Sequence, residues 1–146
     1  MHAIQWLAVL RVGLGLWWLE SFRHKNKAAW FERGSGISWA ASVAEKHPWP
    51  IVRIGFDKIV APRPKQMAYV VVFGELAIGV GLVLGFLTPI ALVASMLLNA
   101  VYFVLMIKDW AEQGQNSMMF LIALVCFGVH AWNWYSLDHL FHLFGA

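Results

Sequence analysis

Glu75 is the only charged residue in the apolar stretch Met67–Leu87, and Arg11 is the only one between Ala3 and Leu19. A lone Arg or carboxylate in the middle of a membrane helix costs roughly 2.5–3.5 kcal/mol on insertion scales, so each of these two groups needs a partner or a different protonation state. Asn99 sits inside a third apolar stretch and Asn116 opens a fourth. The spacing predicts an ion pair between Arg11 and Glu75, with Asn99 taking up the leftover hydrogen-bonding capacity. Arg11 and Glu75 are therefore the candidate catalytic residues: a carboxylate in a polar intramembrane pocket suits a quinone headgroup or a proton path. A buried pair that only fixes helix register is the plainer alternative. Asn116 either hydrogen-bonds a ligand or caps its helix. Trp17 and Trp18 either form an aromatic wall for a quinone ring or belong to an interfacial belt. Together with Asn99 they complete the candidate quinone-binding set.

The remaining chemistry-bearing residues point less sharply. His139 and His142 stand three apart, a spacing that shares a metal on a helix, but two histidines and Asp138 near a terminus suit a solvated amphipathic end. His130 has no obvious axial partner on another stretch, so a hydrogen-bonded structural role is expected and no metal or haem is assigned. Cys126 is the single cysteine, which excludes an intramolecular disulfide and a CxxC redox pair. No Gly-rich phosphate loop, nucleophile motif or hydrolase-type carboxylate pair occurs.

The elements that must carry these residues follow from composition. Of 146 residues 60% are hydrophobic and only 13% are charged, and the mean hydropathy is +0.63. These values predict an all-α, polytopic membrane protein of one domain, residues 1–146. Four spans are expected, at about 3–22, 67–87, 89–107 and 116–135, forming a four-transmembrane-helix bundle. Between the first two lies a long interfacial connection, residues 23–66. It holds four of the five prolines and, from residue 21 on, nine of the eleven Lys and Arg, with Trp30, Trp39 and Trp49 interleaved. It reads as an anchor in the headgroup layer or as a lid, with a short helix over Gly36–Lys46. Residues 136–146 are expected as a surface tail. Ala77, Gly81 and Gly85 make a small-residue stripe for helix packing, and Trp6, Trp132, Trp134 and Tyr135 an outer aromatic belt. Counting ~1.5 Å per residue from the outer helix ends puts Arg11, Asn99 and Glu75 at depths of ~12, ~15 and ~18 Å, close enough for a long Arg side chain to join them.

The formal charge of +3 resides mainly in the connection, which suits membrane orientation and not nucleic acid. By the positive-inside rule both termini face outward from a cell membrane and the basic connection is cytoplasmic. The N-terminal stretch lacks a preceding basic residue and a small-x-small site, so it reads as a span and not as a cleaved leader. The expected partners are the lipid bilayer, a quinone and other membrane subunits. A non-catalytic accessory subunit of a larger respiratory or photosynthetic complex is the competing reading.

Several segments are similar to the DoxX/DoxD family of four-helix membrane proteins: Leu10-Arg11-Val12-Gly13-Leu14-Gly15-Leu16, the run from Gly74 to Thr88, Gln115-Asn116, and Tyr135-Ser136-Leu137-Asp138. Trp30-Phe31, His47-Pro48-Trp49-Pro50 and Val60-Ala61-Pro62 resemble the DoxD branch, which includes the large membrane subunit of thiosulfate:quinone oxidoreductase. The resemblance implies a four-helix bundle and electron transfer at the quinone pool from a sulfur anion such as thiosulfate. It implies a polar intramembrane role for Arg11, Glu75 and Asn116, and with a single cysteine in the chain it implies a further subunit.

Overall fold

A computed structural model describes residues 3–145, so the ends of the expected domain, residues 1–2 and 146, lie outside the described residues. Four long helices form the body: α1 (Ala3–His24), α5 (Pro64–Leu84), α6 (Thr88–Leu105) and α7 (Trp110–Gly128). The connection folds into three short helices, α2 (Lys27–Arg33), α3 (Ser35–Glu45) and α4 (Pro50–Gly55), the last continuing into a π-helical turn over Phe56–Val60. The short helix expected at Gly36–Lys46 is α3. A small C-terminal helix, α8 (Leu137–Leu140), follows a 3-10 turn over Ala131–Asn133.

Helices α5 and α6 are long and apolar enough to cross a membrane, and only 39% and 33% of their most apolar windows are buried within the protein. Their remaining apolar side chains face outward, as in Val70, Phe73, Ile90, Val93 and Leu97. The same holds for Leu16 and Trp17 on α1 and Leu121 and Leu124 on α7. Such a surface suits hydrocarbon and not water. Inside, Leu14, Trp18, Ile78, Leu82, Leu92, Met119 and Ala123 build one core shared by all four helices.

Two glycines set the register of α1 against α5. A Cβ on Gly15 would lie 2.8 Å from the Val83 amide nitrogen, and one on Gly79 would lie 2.7 Å from Leu19. Close approach therefore rests on Gly15 and Gly79, not on the whole Ala77–Gly81–Gly85 stripe. Gly81 faces Ala91 of α6, whereas Ala77 is exposed. Gly85 ends α5 in the left-handed conformation, φ 65°, and Pro89 sits in the first turn of α6.

The fourth long helix departs from the expected 116–135 at both ends. Asp109 accepts from the amides of Ala111 (3.1 Å) and Glu112 (3.2 Å), and this N-cap makes the polar segment Trp110–Gln115 helical. At the other end the helix stops at Gly128, and His130 takes a left-handed conformation, φ 53°. The expected surface tail is partly internal: Asp138 is fully buried, while His139 and Leu140 are exposed. Trp132, expected in the aromatic belt, also turns inward, while Trp6, Trp134 and Tyr135 remain exposed.

Candidate functional site

The register of α1 decides which polar groups meet. With Gly15 against Val83 and Leu19 against Gly79, Arg11 reaches the level of Gly85, where a Cβ would lie 2.7 Å from its Nη1. Glu75 is ten residues back along α5, ~15 Å away. The predicted Arg11–Glu75 pair is thus corrected. The depth count treated Ala3 as level with the α5–α6 turn, but α1 begins beyond that turn, alongside the C-terminal segment.

At that end Arg11 is fully buried and donates to backbone carbonyls: Ala131 at 3.2 Å, Trp134 at 3.5 Å and Tyr135 at 2.8 Å. Tyr135 is held at φ 48°, a conformation that L residues rarely adopt, with its carbonyl on Arg11. Nearby, the Asp138 carboxylate accepts from the amides of Leu87 (2.8 Å) and Thr88 (2.7 Å), the free N–H groups at the start of α6. Asp138 also donates its own amide to Gly85 O at 2.8 Å. Each of these bonds ends on backbone.

Glu75 lies at the other end of the bundle, fully buried and held by side chains. Lys25 Nζ approaches its Oε2 to 2.5 Å, the Ser21 hydroxyl donates to Oε2 at 3.3 Å, and the Tyr102 hydroxyl donates to Oε1 at 2.9 Å. Ser21 comes from α1, Lys25 from the bend just past its end and Tyr102 from α6. Ser21 and Lys25 follow Trp18 at helical spacing, and Tyr102 follows Ser95 and Asn99 in the same way, so one face of each helix carries the set. These partners were missed from sequence, although the 18-21-25 and 95-99-102 periodicities carry the signal.

A cavity of about 310 Å³ adjoins this cluster, lined by Glu75, Tyr102, Lys25, Ser21, Asn116 and Glu112 among others. Trp30, Ile37, Trp39 and Ala40 of the connection form one of its walls. The connection thus flanks the site. It is fastened to α6 by His47, whose Nδ1 accepts from the Trp49 amide (3.0 Å), which leaves Nε2–H to donate to Val104 O at 2.9 Å. Lys108 Nζ adds a bond to Lys46 O at 2.8 Å.

The other sequence-predicted residues separate. Trp18 is 1% exposed and donates its indole N–H to Ser95 Oγ at 2.9 Å, while Trp17 is 49% exposed on the outer surface. Asn99 donates to Ser95 O (2.9 Å) and Ser95 Oγ (3.3 Å) within its own helix, and not to Arg11 or Glu75. Asn116 is buried and donates to Glu112 O at 2.7 Å. Because Asp109 caps α7, Asn116 is not the cap, and it lines the cavity instead. Among the described residues no group of three or more His, Cys, Asp and Glu gathers as a metal site.

An apolar outer surface, two helices fit to cross a bilayer, and a buried carboxylate beside a cavity define a helical membrane protein with an internal polar site. Residues 6–107 match the DoxX family, and the chain belongs to that family of membrane proteins. No curated protein and no solved structure matches it.

Proposed function

We propose that this protein is a quinone-interacting membrane subunit of a redox enzyme, with a quinone headgroup received in the cavity beside Glu75. The observation that carries the reading is the buried Glu75 carboxylate, joined to an ammonium and a phenol at the wall of a cavity. Reduction of a quinone takes two electrons and two protons. Lys25 and Tyr102 are donors suited to quinone oxygens, and Glu75 links them as a carboxylate able to receive and return a proton. Glu112 and Gln115 line the same cavity towards the polar end of α7, which offers a route for protons from water.

The sequence similarity to the DoxD branch makes a sulfur anion the electron donor in this reading. Two thiosulfate ions each give up one electron and join through a new S–S bond as tetrathionate, and the quinone takes both electrons with two protons to become quinol. The electrons travel through a partner subunit. The basic connection, rich in Lys and Arg, favours the approach of an anion. In the same reading α1 and α7 span the bilayer with α5 and α6, the connection faces the cytoplasm and both termini face outward.

The test is to purify the protein from native membranes with whatever accompanies it, and to measure bound quinone and thiosulfate-dependent quinone reduction. Both are expected, and Glu75→Gln abolishes the reduction while the assembly is retained. A stoichiometric larger complex with neither quinone nor this activity overturns the reading in favour of an accessory subunit. Labelling of a C-terminal tag from the cytoplasmic side alone overturns the orientation.

A further inference from the structure

A second cavity opens between α6 and α7 on the outer, lipid-facing surface, with a volume of about 350 Å³. Its walls are apolar: Ala100, Phe103 and Val104 from α6, Phe120 and Leu121 from α7. Three polar residues interrupt them, Asn99, Asn116 and Ser117. Asn116 lines the Glu75 cavity as well, so this one side chain stands between the groove and the inner site.

Asn99 carries the second observation. It is 1% exposed, its amide nitrogen is committed to Ser95, and its carbonyl oxygen Oδ1 is buried with no hydrogen-bond partner. An unpartnered acceptor at such a position is unfavourable, and a ligand carrying a donor relieves it. A phospholipid acyl chain fills an apolar groove but brings no hydroxyl to its depth. A quinol does, because each of its ring oxygens carries a hydrogen that the oxidised quinone lacks.

We propose that the α6–α7 groove is the lateral portal and tail seat for a prenylated quinol. The branched apolar chain lies between Phe103 and Leu121, and the ring rests at Asn116. One hydroxyl donates to Asn99 Oδ1, and the opposite oxygen faces the Glu75 cavity. The inference rests on the quinone reading of that cavity and adds to it the route by which the quinol product leaves for the bilayer, the need for a long tail and a preference of Asn99 for the reduced form. Cavities that hold small molecules typically measure ~300–1,000 Å³, a range that includes this groove.

The test uses the full-length protein in nanodiscs, titrated with a decaprenyl benzoquinol, its oxidised form, and the same ring without a tail. Wild type is expected to bind the long-tailed quinol at least tenfold more tightly than the tail-less one. Ala100→Trp and Ser117→Trp fill the groove from opposite walls, and both are expected to remove that advantage while leaving tail-less binding unchanged. Asn99→Leu is expected to weaken quinol at least tenfold and the oxidised form by less than twofold. Equal binding of both ring compounds by wild type, or unchanged long-tail binding in both Trp variants, overturns the portal while leaving the Glu75 site standing. Equal loss of quinol and quinone in Asn99→Leu overturns the hydroxyl contact. Absence of any ring binding by wild type, with phospholipid alone in the groove, overturns the quinone reading itself.

Discussion

Two buried ionic clusters stand ten residues apart along α5, one at its C-terminal end and one near its middle, and they are built differently. Arg11 donates to the carbonyls of Ala131, Trp134 and Tyr135, and Asp138 accepts from the amides of Leu87 and Thr88. Glu75 is bonded to the side chains of Lys25, Ser21 and Tyr102 and borders a cavity. Backbone groups neither titrate nor leave, so a charge spent on them fixes the chain path. A charge shared with titratable side chains at a cavity wall is free to exchange protons with what enters. In the proposed reading, the two charged residues that looked equivalent in the sequence therefore divide into a structural cation, Arg11, and a chemical anion, Glu75.

The sharpest way to break this comparison is to neutralise each charge in turn. Glu75→Gln keeps an acceptor for Tyr102, and Lys25 at the end of α1 is free to swing to water, so the fold is expected to persist. Quinone reduction is expected to fall by about 10²–10⁴-fold, the usual scale for a lost acid–base group. Activity of this variant within tenfold of wild type sinks the chemical role of Glu75.

Arg11→Met is expected to do the reverse. It strips a charged donor from carbonyls around a left-handed turn, at a cost on the order of 3 kcal/mol. The denaturation midpoint in detergent should drop accordingly, while quinone reduction per folded molecule stays within twofold. A stable variant with lost activity would return Arg11 to the catalytic set.

The body of the fold was legible because its signals are local. Apolar runs, Thr88-Pro89 and the Gly36–Lys46 pattern placed α5, α6 and α3 to within a few residues of their observed limits. The pairing of polar groups was not legible, because it depends on the axial offset of α1 against α5. That offset is decided by two glycine contacts, Gly15 with Val83 and Gly79 with Leu19, which no single-helix pattern displays. The same limit hid Asp138, whose role as cap of α6 spans fifty residues of sequence. Asn116 was recognisable as a buried polar residue, but only the Asp109 cap separates it from a capping role.

Asp138→Ala tests whether the structural end is as closed as it looks. Loss of an N-cap costs ~0.5–2 kcal/mol, and here two amides lose their acceptor together. Stability is expected to fall by about 1–2 kcal/mol, less than in Arg11→Met, with quinone binding unchanged. A loss of quinone binding in a folded Asp138→Ala protein would show that the two ends communicate.

The smallest effects separate the two adjacent tryptophans. Trp18 packs in the core and donates to Ser95 Oγ, the same oxygen that Asn99 approaches, so it supports the α6 face that carries Asn99 and Tyr102. Trp18→Phe removes that donor and leaves a smaller ring, for an expected loss of about 1 kcal/mol. Trp17 is exposed on the outer surface of α1, and Trp17→Phe is expected to change stability by less than about 0.5 kcal/mol, as surface substitutions do. Denaturation curves of the two variants in the same detergent decide the matter. Equal losses would mean that Trp17 is covered by another helix, and the outer surface of α1 would then be an interface with a partner subunit instead of a face turned to lipid.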